Sequence, residues 1–63
     1  MAEPLVILCV DDDPRVRELV RLILEPQGFR VVEADTGLAG IQRLRETTVH
    51  MALIDLQLPD VMG

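Results

Sequence analysis

The chain has 63 residues, nearly half of them hydrophobic, a single aromatic residue, Phe29, and a net charge of −5 without one lysine. A chain of about 60 residues buries only roughly 60% of its unfolded surface, so one small domain is the limit. The acidic balance argues against nucleic-acid binding by this segment, which needs clustered Lys and Arg for phosphate contacts, and the longest apolar run, Leu5–Val10, is too short to cross a membrane.

Leu5–Val10 (LVILCV) is apolar on both faces and rich in branched residues, the pattern of a buried strand in a parallel sheet covered on both sides. Its Cys9 is the one cysteine of the chain, so no internal disulfide forms; it reads as a small core residue in a reducing compartment. The start MAEPLV lacks the basic end and long apolar core of a signal peptide, and a cytoplasmic protein is expected. Asp13-Pro14 then has the form of a helix start, Asp at the N-cap and Pro at the first helical position. Val16, Leu19, Val20, Ile23 and Leu24 follow at helical spacing among Arg15, Arg17, Glu18, Arg21 and Glu25, predicting an amphipathic helix over about 14–25 that Pro26 and Gly28 stop. The arginine face reads as solvated.

A second strand is expected over about 29–34; Arg30 and Glu33 flank its apolar centre, which suits a sheet edge. Thr36 is placed to cap a second helix, about 37–46, with Leu38, Ile41 and Leu44 as its inner stripe and Gly37 and Gly40 allowing close approach to a sheet. His50 reads as a solvated turn residue. A third strand, about 51–55, is again apolar on both faces, and DLQLPDVMG reads as a loop. The order is β-α-β-α-β, which implies parallel strands joined by right-handed crossovers. Polarity selects the strand order 2-1-3, with the outer side of the third strand open to a further strand.

In such a sheet ligands bind outside the C-terminal ends of the strands, where the strand order reverses. With order 2-1-3 the reversal lies between strands one and three. Asp11 and Asp12 leave strand one there and Asp55 leaves strand three, so three carboxylates converge on one crevice. Their mutual repulsion is relieved by a hard divalent cation such as Mg2+, which takes oxygen ligands and is typically held by one or two carboxylates with waters and phosphate oxygens. The cation would in turn shield a carboxylate attacking a phosphoryl group, and an aspartyl phosphate is the natural product. Asp13 belongs instead to the helix cap.

The segments ILCVDDDPRVRELVRLIL, GFRVVEADTGLAGIQRL and MALIDLQLPDVMG resemble the first half of a response-regulator receiver domain, the phosphoacceptor module of two-component signalling with a flavodoxin-like fold. The resemblance covers residues 5–63 and makes residues 1–63 one receiver domain cut short. It implies that Asp11 and Asp12 are the family's acidic pair and Asp55 its phosphorylated aspartate. It further implies that Asp12, Asp55 and the backbone carbonyl of Gln57 bind Mg2+, and that Asp11 acts mainly through a metal-bound water. Pro59 and Gly63 match the turn after the phosphorylation site, and Met62 stands where the family commonly has Asp or Asn. The implied donor is a histidine kinase or phosphotransfer protein, and the module is not itself an enzyme. In the family two further strands carry a hydroxyl residue and a lysine that contact the phosphoryl group. The chain ends before both, so impaired transfer is expected.

Two other readings stand beside this one. A shortened or engineered half-domain would self-associate through the open edge of the third strand, giving a homodimer without phosphotransfer. A fragment of a phosphatase with an aspartyl nucleophile would use two acids two residues apart after the first strand, a spacing that Asp11 and Asp13 have.

Overall fold

The structure, a computed structural model, describes residues 3–55. Strand β1 (Val6–Val10), helix α1 (Pro14–Leu24), a 3-10 turn (Glu25–Gln27), β2 (Arg30–Ala34), α2 (Gly37–Glu46) and β3 (Met51–Ile54) follow in that order. The strands form one parallel sheet in the order β2-β1-β3. β1 is therefore the central strand, as its apolar character on both faces requires, and all five of its residues are buried. Val31 and Ala34 of β2 and Gly40 of α2 are buried with it, and the Cys9 thiol is pushed up from its ordinary value, first by burial and then by Asp11 and Glu33.

The helices cover opposite faces of the sheet. On one side Arg17 of α1 reaches Glu33 of β2. On the other, α2 crosses so closely that a Cβ on Gly40 would stand 3.0 Å from the Val10 Cγ2. Leu8, Val10 and Ala34 form the core on that second face, with Val32, Ala39 and Val49 packed against them.

Local chemistry explains the element ends. The Asp13 side chain accepts from the Arg15 N–H at the head of α1, with Pro14 in the first helical position. Thr36 Oγ1 accepts from the Ala39 N–H, 3.0 Å away, at the head of α2. Gly28, with φ of 96°, makes the left-handed turn out of the 3-10 segment. The Phe29 N–H then bonds back to Leu24, so β2 begins at Arg30 and not at Phe29. β1 begins at Val6 rather than Leu5, and β3 closes at Ile54, with Asp55 just beyond.

Three expectations need correction. His50 is exposed, but it is not simply solvated. Its Nδ1 accepts the Val6 N–H at 2.9 Å and its own N–H donates to the Val6 carbonyl, which ties the start of β3 to β1 and puts the ring proton on Nε2. The apolar stripes of the helices are only partly covered: Leu19 and Ile23 of α1 and Leu38, Ile41 and Leu44 of α2 are exposed. Helical periodicity marks an apolar face without stating what lies against it. The sheet here covers Gly40 and Ala39 of α2, whereas Ile41 and Leu44 border an open groove beside Ala52 and Ile54 of β3. The arginine face is the third case and belongs with the site.

Candidate functional site

The ladder itself brings the acids together. β1 and β3 run parallel with Val10 opposite Ile54, so the residues after them leave the sheet side by side. The Asp55 N–H donates to the Val10 carbonyl at 2.9 Å, and the Asp11 N–H donates to the Ala34 carbonyl of β2 at 3.0 Å. Asp11 is thus tied to the end of β2 and Asp55 to the end of β1, at the point where strand order reverses. Asp12 follows it, exposed, and one carboxylate oxygen from each of Asp11, Asp12 and Asp55 falls within 4.8 Å of the others. Three hard oxygen donors at this spacing suit a hard divalent cation better than a thiophilic one. Beside them on the α1 face is a groove of about 190 Å³, lined by Cys9, Val16, Val20 and Leu53 as well as Asp11 and Asp55.

The acidic run is divided in function. Asp11 Oδ1 accepts the Asp13 N–H at 2.9 Å, which folds the loop back on itself. Asp13 turns to α1, where Arg15 holds it through both its backbone N–H and its guanidinium; those hydrogen bonds lower the carboxyl from its ordinary value. The phosphatase reading needs Asp13 in the crevice, and the structure puts it on the helix. Gln57, expected to offer a carbonyl to the cation, lies outside the described residues, as do Pro59, Met62 and Gly63.

Sequence reasoning missed the arginines. Arg15 is solvated, with 88% of its side chain exposed, but Arg17 is not, at 17%. Arg17 Nε donates to Glu33 Oε1 at 3.0 Å, Arg21 donates to Glu33 Oε2 at 2.6 Å, and Arg17 also donates to the Asp11 backbone carbonyl at 2.6 Å. The signal was present in part: Arg17 and Arg21 are four apart on one helix face, and Glu33 shares a strand face with the buried Val31.

The clamp makes stability depend on acid. Glu33 is held below its ordinary value of 4.5, first by the Arg21 hydrogen bond and then, against the cost of burial, by Arg17. A carboxylate with a depressed folded-state value binds its proton more readily when unfolded. Its contribution is complete above 4.5 and disappears as pH falls below 4.5 through the folded-state value. Asp13 acts in the same direction from its exposed cap. Glu33→Gln is expected to lower the melting temperature at neutral pH and to flatten its fall in acid. Thermal melts by circular dichroism across that range check both; parallel curves for the two proteins would remove Glu33 from the account.

The family profile of the response regulator receiver domain matches residues 7–63. The transcriptional regulatory protein CseB of Streptomyces coelicolor is 38% identical over 63 residues, covering 100% of this chain and 27% of its own length. The response regulator GtcR of Aneurinibacillus migulanus is 37% identical over 57 residues, covering 90% of this chain and 24% of its own. The CAI-1 autoinducer sensor kinase/phosphatase CqsS of Vibrio cholerae is 33% identical over 57 residues, covering 90% of this chain and 8% of its own. The chain spans about a quarter of the length of regulators such as CseB. No solved structure matches it with significance.

Proposed function

The chain belongs to the response regulator receiver domain family, and from that premise we propose that it carries the phosphoacceptor half of such a domain, taking a phosphoryl group on Asp55 from a histidine kinase or phosphotransfer protein. The observation that supports this most is the convergence of Asp11, Asp12 and Asp55 at the ends of adjacent parallel strands. An Asp55 carboxylate oxygen attacks phosphorus, the bond from phosphorus to the donor nitrogen breaks, and the donor imidazole leaves with its electron pair. Mg2+ fits the all-oxygen donor set of Asp11, Asp12 and Asp55, with the carbonyl of Gln57 as a further ligand, and when bound would offset the anionic charge of nucleophile and phosphoryl group. Asp55 is consumed and later regenerated, so the module serves as a switch and not as an enzyme with turnover of its own. No lysine exists in these residues to contact the phosphoryl oxygens, and transfer by this stretch alone is proposed to be slow. Cytoplasmic placement and the absence of nucleic-acid contacts by this segment belong to the same reading; among the described residues no helix is long and apolar enough to cross a membrane.

The test is Mg2+-dependent uptake of one phosphoryl group from phosphoramidate, read by intact mass and by lability to hydroxylamine. It is run on the chain and on a receiver that contains this stretch together with the remaining strands. If the complete receiver takes up no label, the reading is wrong.

A second reading has its own observation. Among the described residues β3 pairs on one side only, with β1, and all four of its residues, Met51–Ile54, are exposed and uncharged. A strand edge without charge or proline is a template for pairing. Two copies joined β3 to β3 about a two-fold axis would form one continuous sheet and cover both edges. Analytical ultracentrifugation is expected to show a dimer at micromolar concentration, and a stable, folded monomer there would sink the idea.

A further inference from the structure

We infer that Arg17 is a positioning residue for the acidic site, and that its link to Glu33 ties the geometry of that site to the edge strand β2. The inference rests on the reading of Asp11, Asp12 and Asp55 as a cation site.

Asp11 is the hinge of the loop between β1 and α1. Its N–H is fixed by Ala34 and its side chain by the Asp13 N–H. The remaining freedom is rotation of the peptide plane between Asp11 and Asp12, which sets the direction in which the Asp12 carboxylate leaves the chain. Arg17 holds that plane through its 2.6 Å hydrogen bond to the Asp11 carbonyl. The guanidinium is itself oriented, because Nε is engaged by Glu33 Oε1 at 3.0 Å and the other Glu33 oxygen is occupied by Arg21. A planar group with donors on two edges can serve both partners at once; an ammonium cannot hold that geometry. With 17% of its side chain exposed, Arg17 is largely withdrawn from water, where its contacts are least screened. The chain β2–Glu33–Arg17–Asp11 is a contiguous hydrogen-bonded path from the edge strand to the site, and it enters through the Asp11 main-chain carbonyl and not through the Asp11 carboxylate. Outer-shell partners of this kind typically change metal affinity by about 10–100-fold when removed.

The experiment is Mg2+ titration of the full chain by calorimetry, with melting temperatures recorded without metal. Arg17→Ala is expected to weaken Mg2+ binding roughly tenfold, Arg17→Lys to recover part of that loss, and Glu33→Gln to weaken binding less than Arg17→Ala. Val32→Ala, a half-buried change on the α2 face of β2, controls for general loosening and is expected to leave the affinity unchanged while lowering the melting temperature. Independently of any variant, the Arg17 Nε–H resonance of the unaltered chain is expected to exchange slowly with water and to shift on Mg2+ addition. Equal affinities for Arg17→Ala and the unaltered chain overturn the inference, as does a loss in Val32→Ala as large as that in Arg17→Ala, or an Arg17 Nε–H that ignores Mg2+. If the unaltered chain binds no Mg2+ at all, the cation-site reading itself falls and this inference goes with it.

Discussion

Asp55→Asn is expected to abolish the hydroxylamine-labile phosphoryl adduct altogether while leaving the fold in place. The amide has the size and shape of the carboxylate, and the hydrogen bond that places the residue, from its own N–H to the Val10 carbonyl, is a main-chain bond that the change does not touch. What disappears is the anionic nucleophile: an amide oxygen does not form a stable acyl phosphate, so the loss is one of chemistry rather than of binding. Asp12→Asn should behave differently, keeping the nucleophile but removing one charge from the group of three, so that labelling persists at a raised Mg2+ requirement. Both variants are measured with phosphoramidate and Mg2+ in a receiver containing this stretch whole, with circular dichroism to confirm folding. Labelling of Asp55→Asn at the unaltered rate would falsify the assignment and turn attention to Asp11 and Asp12, the other carboxylates in the crevice.

The topology and the convergence of acids were legible because both follow from one-dimensional patterns. A strand apolar on both faces must be covered on both faces, which makes β1 central; a strand with Arg30 and Glu33 beside its valines suits an edge. Two helical crossovers then leave the strand order 2-1-3, and parallel polarity puts Asp11, Asp12 and Asp55 on one rim. The Asp13 and Thr36 caps were legible for the same reason, since each acts within three residues of itself. What the sequence hid was long-range and polar. The i, i+4 spacing of Arg17 and Arg21 hints at a shared partner, but it does not say that Arg17 is clamped between β2 and the acidic loop while Arg15, two residues earlier, is solvated. The difference lies in which way α1 is rotated over the sheet. His50 was hidden likewise, because an imidazole accepting a backbone N–H 44 residues away leaves no periodic trace. The exposed stripes of α1 and α2 show the converse: periodicity detected them correctly but could not say that Leu19, Ile23, Leu38 and Leu44 are left partly open by the described residues.

Leu8→Ala is expected to unfold the chain at room temperature. Leu8 is 1% exposed and lies in the middle of the central strand, opposite Val32 on one side and Ala52 on the other. Truncating a buried leucine costs about 2–5 kcal/mol, the loss of transfer energy plus the cavity left behind. A domain of this length has a total stability of about 3–9 kcal/mol, at roughly 0.05–0.15 kcal/mol per residue. Apolar side chains left exposed on α1, α2 and β3 place this one toward the low end. Leu53→Ala is the comparison: the same change on β3, at a side chain on the α1 face beside Cys9 and 40% exposed, is expected to cost about 1 kcal/mol or less and to melt cooperatively. Far-UV circular dichroism and urea titration read both variants. Similar destabilisation in the two would mean that Leu53 is buried in solution, which is the result expected if a second copy or further chain packs beside β3. Because Asp11 hangs from the end of β1 and Asp55 is bonded to Val10, loss of Leu8 should also disperse the acids, so Mg2+ affinity and the unfolding transition are expected to be lost together.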